Sequence, residues 1–271
     1  MSKYKKINDV WNAYYYGNKI KVVYIKVASR RIKTENQLTG YQSPKEDNDN
    51  LSEERLQASL SRTKSRIFEL ALCNEFSHFC TFTQDQTKVE DRFDLTTFRK
   101  DFAQYVRNQN RTRTEKIKYL LIPERHKTDG AWHLHGLLSG LKVGEDLTEF
   151  TLNDHIPYRL REMIENGEKV YNWCKYAGKF GYFTASEIKN KNASASYITK
   201  YVTKDMVKQG REAHEHLFFA SQGLKGREQI IFNSFDECGE LISCPFSDSE
   251  WDYENDYVKV KWIDDITKIS K

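Results

Sequence analysis

No stretch of this sequence is long, apolar and uncharged enough to cross a bilayer, and the opening MSKYKKINDVWN lacks the apolar core of a signal peptide. A cytoplasmic protein is therefore expected. The five cysteines (Cys73, Cys80, Cys174, Cys238 and Cys244) are odd in number and scattered, with no C-x-x-C pair. That excludes a full disulfide framework and a zinc knuckle, and fits a reducing compartment. No internal repeat is present. No G-x-x-x-x-G-K-[ST] run occurs either, so the chain carries no fused P-loop helicase and any unwinding must come from another protein.

What remains is a chain of 271 residues, 30% charged and 38% hydrophobic, long enough for one large domain or two small ones. Its net charge of +4 says little, but the distribution is uneven. The front carries Lys3, Lys5, Lys6, Lys19, Lys21, Lys26, Arg30, Arg31 and Lys33 against one acid, Asp9, with Trp11, Tyr14, Tyr15, Tyr16 and Tyr24 interleaved. The end inverts this with Asp248, Glu250, Asp252, Glu254, Asp256, Asp264 and Asp265. A basic, aromatic-rich front suits an acidic polymer as partner, and equally suits a solvated surface.

Periodicity divides the chain into a basic N-terminal extension and polar linker (1–50), a central domain (51–235) and an acidic tail (236–271). IKVVYIKV (20–27) reads as a strand. A helix is expected from Leu51, with Ser52 as its N-cap and Arg62, Lys64 and Arg66 off its apolar stripe. FSHFCTFTQ (76–84) alternates as a strand, and 94–109 is helical with Asp94 capping. KIKYLLIPE (116–124) and AWHLHGLLSG (131–140) flank a polar segment ending in Asp-Gly, which predicts a β-hairpin. Weaker patterns predict a helix over 157–166 and strands in KFGYFTAS and HLFFASQG. ASASYITKYVTKDMVKQ (193–209) is the last strong helix. Strands and helices alternating around an antiparallel hairpin make the fold class α+β: a central antiparallel sheet flanked by helices.

Two short stretches carry chemistry. On a strand, residues two apart share a face, so His133 and His135 project together while Trp132, Leu134 and Leu138 turn to the core. If Asp129-Gly130 forms a two-residue turn, Glu124 falls opposite His135 and diagonal to His133. Two imidazoles and a carboxylate suit Mn²⁺ or Mg²⁺, and also Zn²⁺ or Fe²⁺. H-x-H alone fits a structural pair as well, and the second one, HEH (214–216), has no carboxylate-bearing hairpin before it. In YITKYVTK (197–204) helical spacing sets Tyr197, Lys200, Tyr201 and Lys204 on one narrow face, apart from the apolar face of Ala195, Ile198, Val202 and Met206. A phenol with an ordinary pKa near 10 becomes a useful nucleophile once a cation or metal stabilises its phenolate. The same helix could instead dock phosphates while its tyrosines stack on bases.

The order of these segments resembles the HUH endonuclease superfamily, and within it the two-tyrosine rolling-circle replication initiators (Rep proteins) of phages and plasmids. FCTFT (79–83) is similar to the first motif, with Phe82 where leucine is usual; HLHG (133–136) to the metal-binding second; and YITKYVTK to the tyrosine helix. The resemblance covers roughly residues 55–235. It implies a divalent metal, Mn²⁺ or Mg²⁺, held by His133, His135 and Glu124. It implies that Tyr197 and Tyr201 nick one strand of an origin and hold a 5′-phosphotyrosyl link, with Lys200 and Lys204 beside the scissile phosphate and Tyr201 marginally favoured to attack first. Arg62, Lys64, Arg66, Arg30 and Arg31 are the candidate DNA-binding residues. Single-stranded DNA, a host helicase and a host polymerase would be the partners, in the cytoplasm of a bacterial host, with no membrane involved. A relaxase or transposase of the same superfamily shares this chemistry. A non-catalytic single-stranded-DNA-binding protein would not need the full residue set, and an iron oxygenase would leave the tyrosine helix unexplained.

Overall fold

Strand pairing organises the chain, and in the computed structural model every ladder between strands is antiparallel. The structure describes residues 4–17, 19–31, 49–126, 128–203, 217–231, 250–256 and 258–264. In chain order the elements begin β1 (Tyr4–Tyr15), β2 (Ile20–Arg31), α1 (Asp49–Cys73), β3 (His78–Gln84), α2 (Leu95–Asn110), β4 (Lys118–Arg125), β5 (Trp132–Ser139) and β6 (Thr148–Glu149). They continue with α3 (Tyr158–Glu165), β7 (Val170–Asn172), α4 (Cys174–Phe180), β8 (Gly181–Glu187) and α5 (Lys191–Ile198). A 3₁₀ turn (Thr199–Tyr201), β9 (Phe219–Ala220), β10 (Glu228–Ile231), β11 (Tyr253–Glu254) and β12 (Val258–Ile263) complete them. The α+β class expected from periodicity is what forms. It is divided between two units, one drawn from residues 1–49 and 226–271, the other from 50–225.

The first unit is a five-stranded sheet in the order β10–β1–β2–β12–β11. Trp11, Ala13, Ile20, Val22 and Ile263 form its core, with Tyr15, Tyr24 and Trp251 packed on them. The stretches read as a basic extension and an acidic tail are therefore joined in one sheet. Their charges meet there: Lys19 Nζ lies 2.7 Å from Asp264 Oδ1, and Lys26 Nζ lies 2.7 Å from Glu254 Oε1. At these positions the basic front is answered by the chain's own carboxylates, as the solvated-surface reading allows. Surface pairs of this kind contribute under about 1 kcal/mol each.

The second unit holds a seven-stranded sheet, β6–β7–β8–β3–β5–β4–β9. Alternation along β3 turns Cys80 and Phe82 to one face and Phe79, Thr81 and Thr83 to the other. On the first face Phe82 meets Phe102 of α2 at 4.7 Å between ring centroids, and Tyr176 of α4 and Phe183 of β8 at 4.9 Å each. Burying each such ring contributes roughly 2–3 kcal/mol, so this aromatic cluster anchors the domain. Trp132, Leu134 and Leu138 enter the same core, as their alternation requires. Asp94 caps α2 by accepting from the backbone N–H groups of Thr96 and Thr97 at 2.9 and 3.2 Å. The other face is covered differently, with α5 and the 3₁₀ turn packing over β4 and β5 and α3 against β7.

Two helix boundaries depart from the periodicity. The helix expected from Leu51 already runs from Asp49, so Ser52 is inside it and is not its cap. The helix expected over 193–209 tightens to 3₁₀ geometry at Thr199–Tyr201, and Val202 is extended with φ −85° and ψ 104°. Ala195, Ile198 and Val202 are buried as their spacing implied, but the shared helical face ends at Tyr201. Lys204, Met206 and the HEH segment lie outside the described residues.

Gly136, the last residue of HLHG, fixes how closely β4 and β5 approach. A Cβ there would lie 2.0 Å from the carbonyl oxygen of Leu120. Gly136→Ala is expected to destabilise the domain by about 3 kcal/mol, because backbone must move to admit the methyl. Urea unfolding of the variant against the parent measures this.

Candidate active site

His133 and His135 project from β5 onto the face opposite the aromatic core, beside the neighbouring strand's hydroxyls. In the β3–β5 ladder Thr81 pairs with His135 and Thr83 with His133. Thr81 Oγ1 is 3.0 Å from His135 Nδ1, and Thr83 Oγ1 is 2.8 Å from His133 Nδ1. The T-x-T of β3 thus holds both imidazoles of the H-x-H by the same nitrogen, and their planes are 11° apart at 6.0 Å between centroids. A hydroxyl both donates and accepts, so it supports either neutral tautomer and leaves Nε2 to another partner.

Burial depresses the His135 pKa to about 4, with the positive potential of His133 and Arg159 adding to it. Burial first, then His126, lowers His133 as well. Both rings are therefore neutral near pH 7, the form that can donate a lone pair to a cation.

Glu124 reaches this face from β4, by a register different from the one a two-residue turn would impose. His126 N–H donates to Ala131 O at 2.8 Å and Gly130 N–H to His126 O at 2.9 Å, so the hairpin closes over a four-residue loop. Glu124 consequently pairs with His133, and Ile122 with His135. The shift is by two residues, an even number, so Glu124 keeps the expected face. Its Oε2 lies 3.0 Å from His135 Nε2, a hydrogen bond from a neutral ring rather than an ion pair.

The tyrosines complete the face. The Tyr201 ring stacks on His135 at 4.5 Å and 11°, and its hydroxyl donates to that of Tyr197 at 3.3 Å. Phe79 of β3 supports both rings, 5.3 Å from Tyr197 and 6.2 Å from Tyr201. Burial, then the hydrogen bond to Tyr197, raises the Tyr201 phenol above its ordinary pKa; the charge of Arg159 opposes this. Lys200 Nζ sits over the Tyr197 ring, 5.0 Å from its centroid. The structure thus brings together Glu124, His133, His135, Tyr197 and Tyr201, with Lys200 at the edge.

A groove of 420 Å³ opens beside the tyrosines, between the β3–β8 surface and α3. His135, Tyr197 and Tyr201 line it together with Thr81, Thr83, Arg159 and Tyr182. Sequence reasoning left Thr81, Thr83, Arg159 and Tyr182 without roles. The threonines were legible as a T-x-T facing an H-x-H; Arg159 and Tyr182 stand in segments whose patterns carry no chemical signature. Arg62, Lys64 and Arg66 lie along α1, where Arg66 pairs with Glu69 and Arg62 Nε donates to Ala58 O at 3.2 Å. None of the three lines the groove. Arg30 and Arg31 end β2 in the other unit.

All of the groove and all of the paired residues fall in one sequence window. Residues 77–206 match the family model for replication-associated proteins of the ORF2 type. The match spans a little under half of the chain and takes in FCTFT, Glu124, HLHG and YITKYVTK. No curated protein and no solved structure matches the chain. Among the described residues, no helix is long and apolar enough to cross a membrane.

The donor types on this face suit a divalent cation: two neutral imidazoles fixed through Nδ1, and a carboxylate. Among the described residues no three His, Cys, Asp or Glu side chains are already gathered as a metal site, since Glu124 is turned onto His135. Glu124 is partly exposed and free to change rotamer, so the set fits an ion after a side-chain adjustment alone. If Thr81 and Thr83 act by aiming the imidazoles, Thr81→Val with Thr83→Val lowers metal affinity by about 10–100-fold without unfolding the domain. Titration with Mn²⁺ followed by calorimetry, beside a thermal melt, checks both halves.

Proposed function

We propose that this protein is a replication initiator that nicks and rejoins single-stranded DNA through a tyrosine nucleophile. The observation that carries the reading is the stack of Tyr201 on His135, which sets two phenol hydroxyls beside the H-x-H and Glu124 face. The match of residues 77–206 to a replication-associated family supports the same reading.

His133, His135 and Glu124 would hold a divalent cation, Mn²⁺ or Mg²⁺. Bound there, such an ion withdraws charge from the non-bridging oxygens of a phosphodiester. The chain's own residues do the rest. Thr81 and Thr83 keep the imidazoles aimed, and Phe79 keeps the tyrosine rings against the site. One phenol oxygen attacks phosphorus as its proton departs. A Tyr–O–P bond forms, the P–O3′ bond breaks, and the leaving oxygen takes up a proton to become a 3′-OH. The downstream strand remains attached to tyrosine through its 5′ phosphate, and attack by a 3′-OH on that link rejoins DNA and releases the phenol. The second tyrosine, within hydrogen-bond reach of the first, permits a further transfer while the first is occupied. The free 3′-OH serves a host polymerase, and a host helicase supplies unwinding.

Incubating the full chain with 3′-end-labelled single-stranded DNA and Mn²⁺ or Mg²⁺, then running a denaturing gel, tests this. The expected result is labelled DNA retarded by attached protein and lost on adding EDTA. Label that migrates only as free DNA rejects the reading.

A further inference from the structure

The groove beside the tyrosines is built for a particular kind of occupant. Its floor is the polar face of β3 and β8, where Thr81 pairs with Thr184 and Thr83 with Tyr182. Its far wall is α3, which turns Arg159 and Met163 toward it, and its end is Tyr201. Arg159 is the only Lys, Arg, Asp or Glu among the described residues that line it. An anion entering there meets one guanidinium and no carboxylate. Tyr182 is 64% exposed although it sits on a sheet, so its ring offers a π-face to a ligand. At 420 Å³ the groove is in the size range that encloses a small organic group.

Lys200 does not fill this role, because its ammonium lies over the Tyr197 ring and it does not line the groove. Arg159 does line it, and its charge acts on both His135 and Tyr201. A guanidinium also suits a phosphodiester better than an ammonium, since its planar fork binds two oxygens at once.

We propose that this groove seats one nucleotide of a DNA single strand, with Arg159 holding the phosphate that faces Tyr201 and Tyr182 stacking on the base. The assignment rests on the nicking function for the nature of the strand, and adds the residues that position it. It makes Arg159 a substrate-contacting residue on an element the tyrosine motif does not include.

Equilibrium binding of a short, fluorescent, random-sequence single-stranded oligonucleotide to the full chain tests the proposal. Arg159→Ala is expected to weaken binding roughly ten- to a hundredfold, and to reduce the slope of log K against log salt by about 0.7, one phosphate contact on a single strand. Arg159→Lys should recover the salt slope but only part of the affinity. Tyr182→Ala should weaken binding about tenfold with the slope unchanged, as loss of a stacking contact does. Lys142→Ala, on a residue that pairs with Glu145 and does not line the groove, should change neither. Thermal melts confirm that each variant folds. Affinity within twofold of the parent for both Arg159→Ala and Tyr182→Ala, with an unchanged slope, overturns the proposal.

Adduct formation by the parent protein is read separately. Arg159-dependent binding without adducts would retain the groove and remove the nicking function. Adducts without Arg159 dependence would do the reverse.

Discussion

A protein carrying Tyr197→Phe and Tyr201→Phe together is expected to form no covalent adduct with DNA while binding single strands as the parent does. Phenylalanine keeps the ring stacks on His135 and Phe79 and removes only the two hydroxyls, which contact each other at 3.3 Å. The fold should therefore lose about 1 kcal/mol or less. The reaction should fall by about 10⁴-fold or more, because no other oxygen nucleophile stands where the phenols do. The single variants separate the two roles. Tyr201 is the phenol stacked on the histidine face, and it is also the one whose burial makes it harder to ionise. Its loss should slow the first cleavage more than loss of Tyr197. Loss of Tyr197 should spare first cleavage and impair transfer to a second strand. Adducts that persist in the double variant would remove both tyrosines from the chemistry.

The second large effect belongs to the histidines. His133→Ala or His135→Ala should abolish divalent-dependent nicking, a loss on the order of 10³-fold, while adducts in the parent respond to added Mn²⁺ or Mg²⁺. His135→Ala also removes the ring on which Tyr201 stacks, so the cleaner variant is His133→Ala, which leaves that stack in place. Its failure should be accompanied by loss of Mn²⁺ binding in calorimetry. Nicking that proceeds undiminished in His133→Ala with metal present would reject the metal site.

Much of this face could be read from residue order alone. Alternation put His133 and His135 on one side of a strand and Trp132, Leu134 and Leu138 in the core, because a strand's period of two is set by backbone geometry. Helical spacing likewise brought Tyr197 and Tyr201 together. Partner choice was less legible. The loop between β4 and β5 closes through His126 and Ala131, so a turn inferred from Asp-Gly gave the right face and the wrong opposite number. Periodicity also missed where the tyrosine helix ends, since tightening to 3₁₀ geometry leaves no mark on an apolar pattern. The pairing of β12 with β2 joins segments more than two hundred residues apart. Tertiary burial decides such a pairing, and local sequence holds no trace of it. Arg159 escaped for a similar reason: only the placement of α3 over the sheet gives that arginine a role.

The central claim is that a tyrosine of YITKYVTK becomes covalently joined to DNA, and the sequence offers a direct way to see it. Trypsin cutting after Lys191, Lys200 and Lys204 places Tyr197 in residues 192–200 and Tyr201 in residues 201–204. Mass spectrometry of the peptides from a nuclease-trimmed adduct should find one or both of them heavier by a phosphonucleotide attached to tyrosine. The mass on any other peptide, or an adduct whose two tyrosine peptides are both unmodified, would contradict the account.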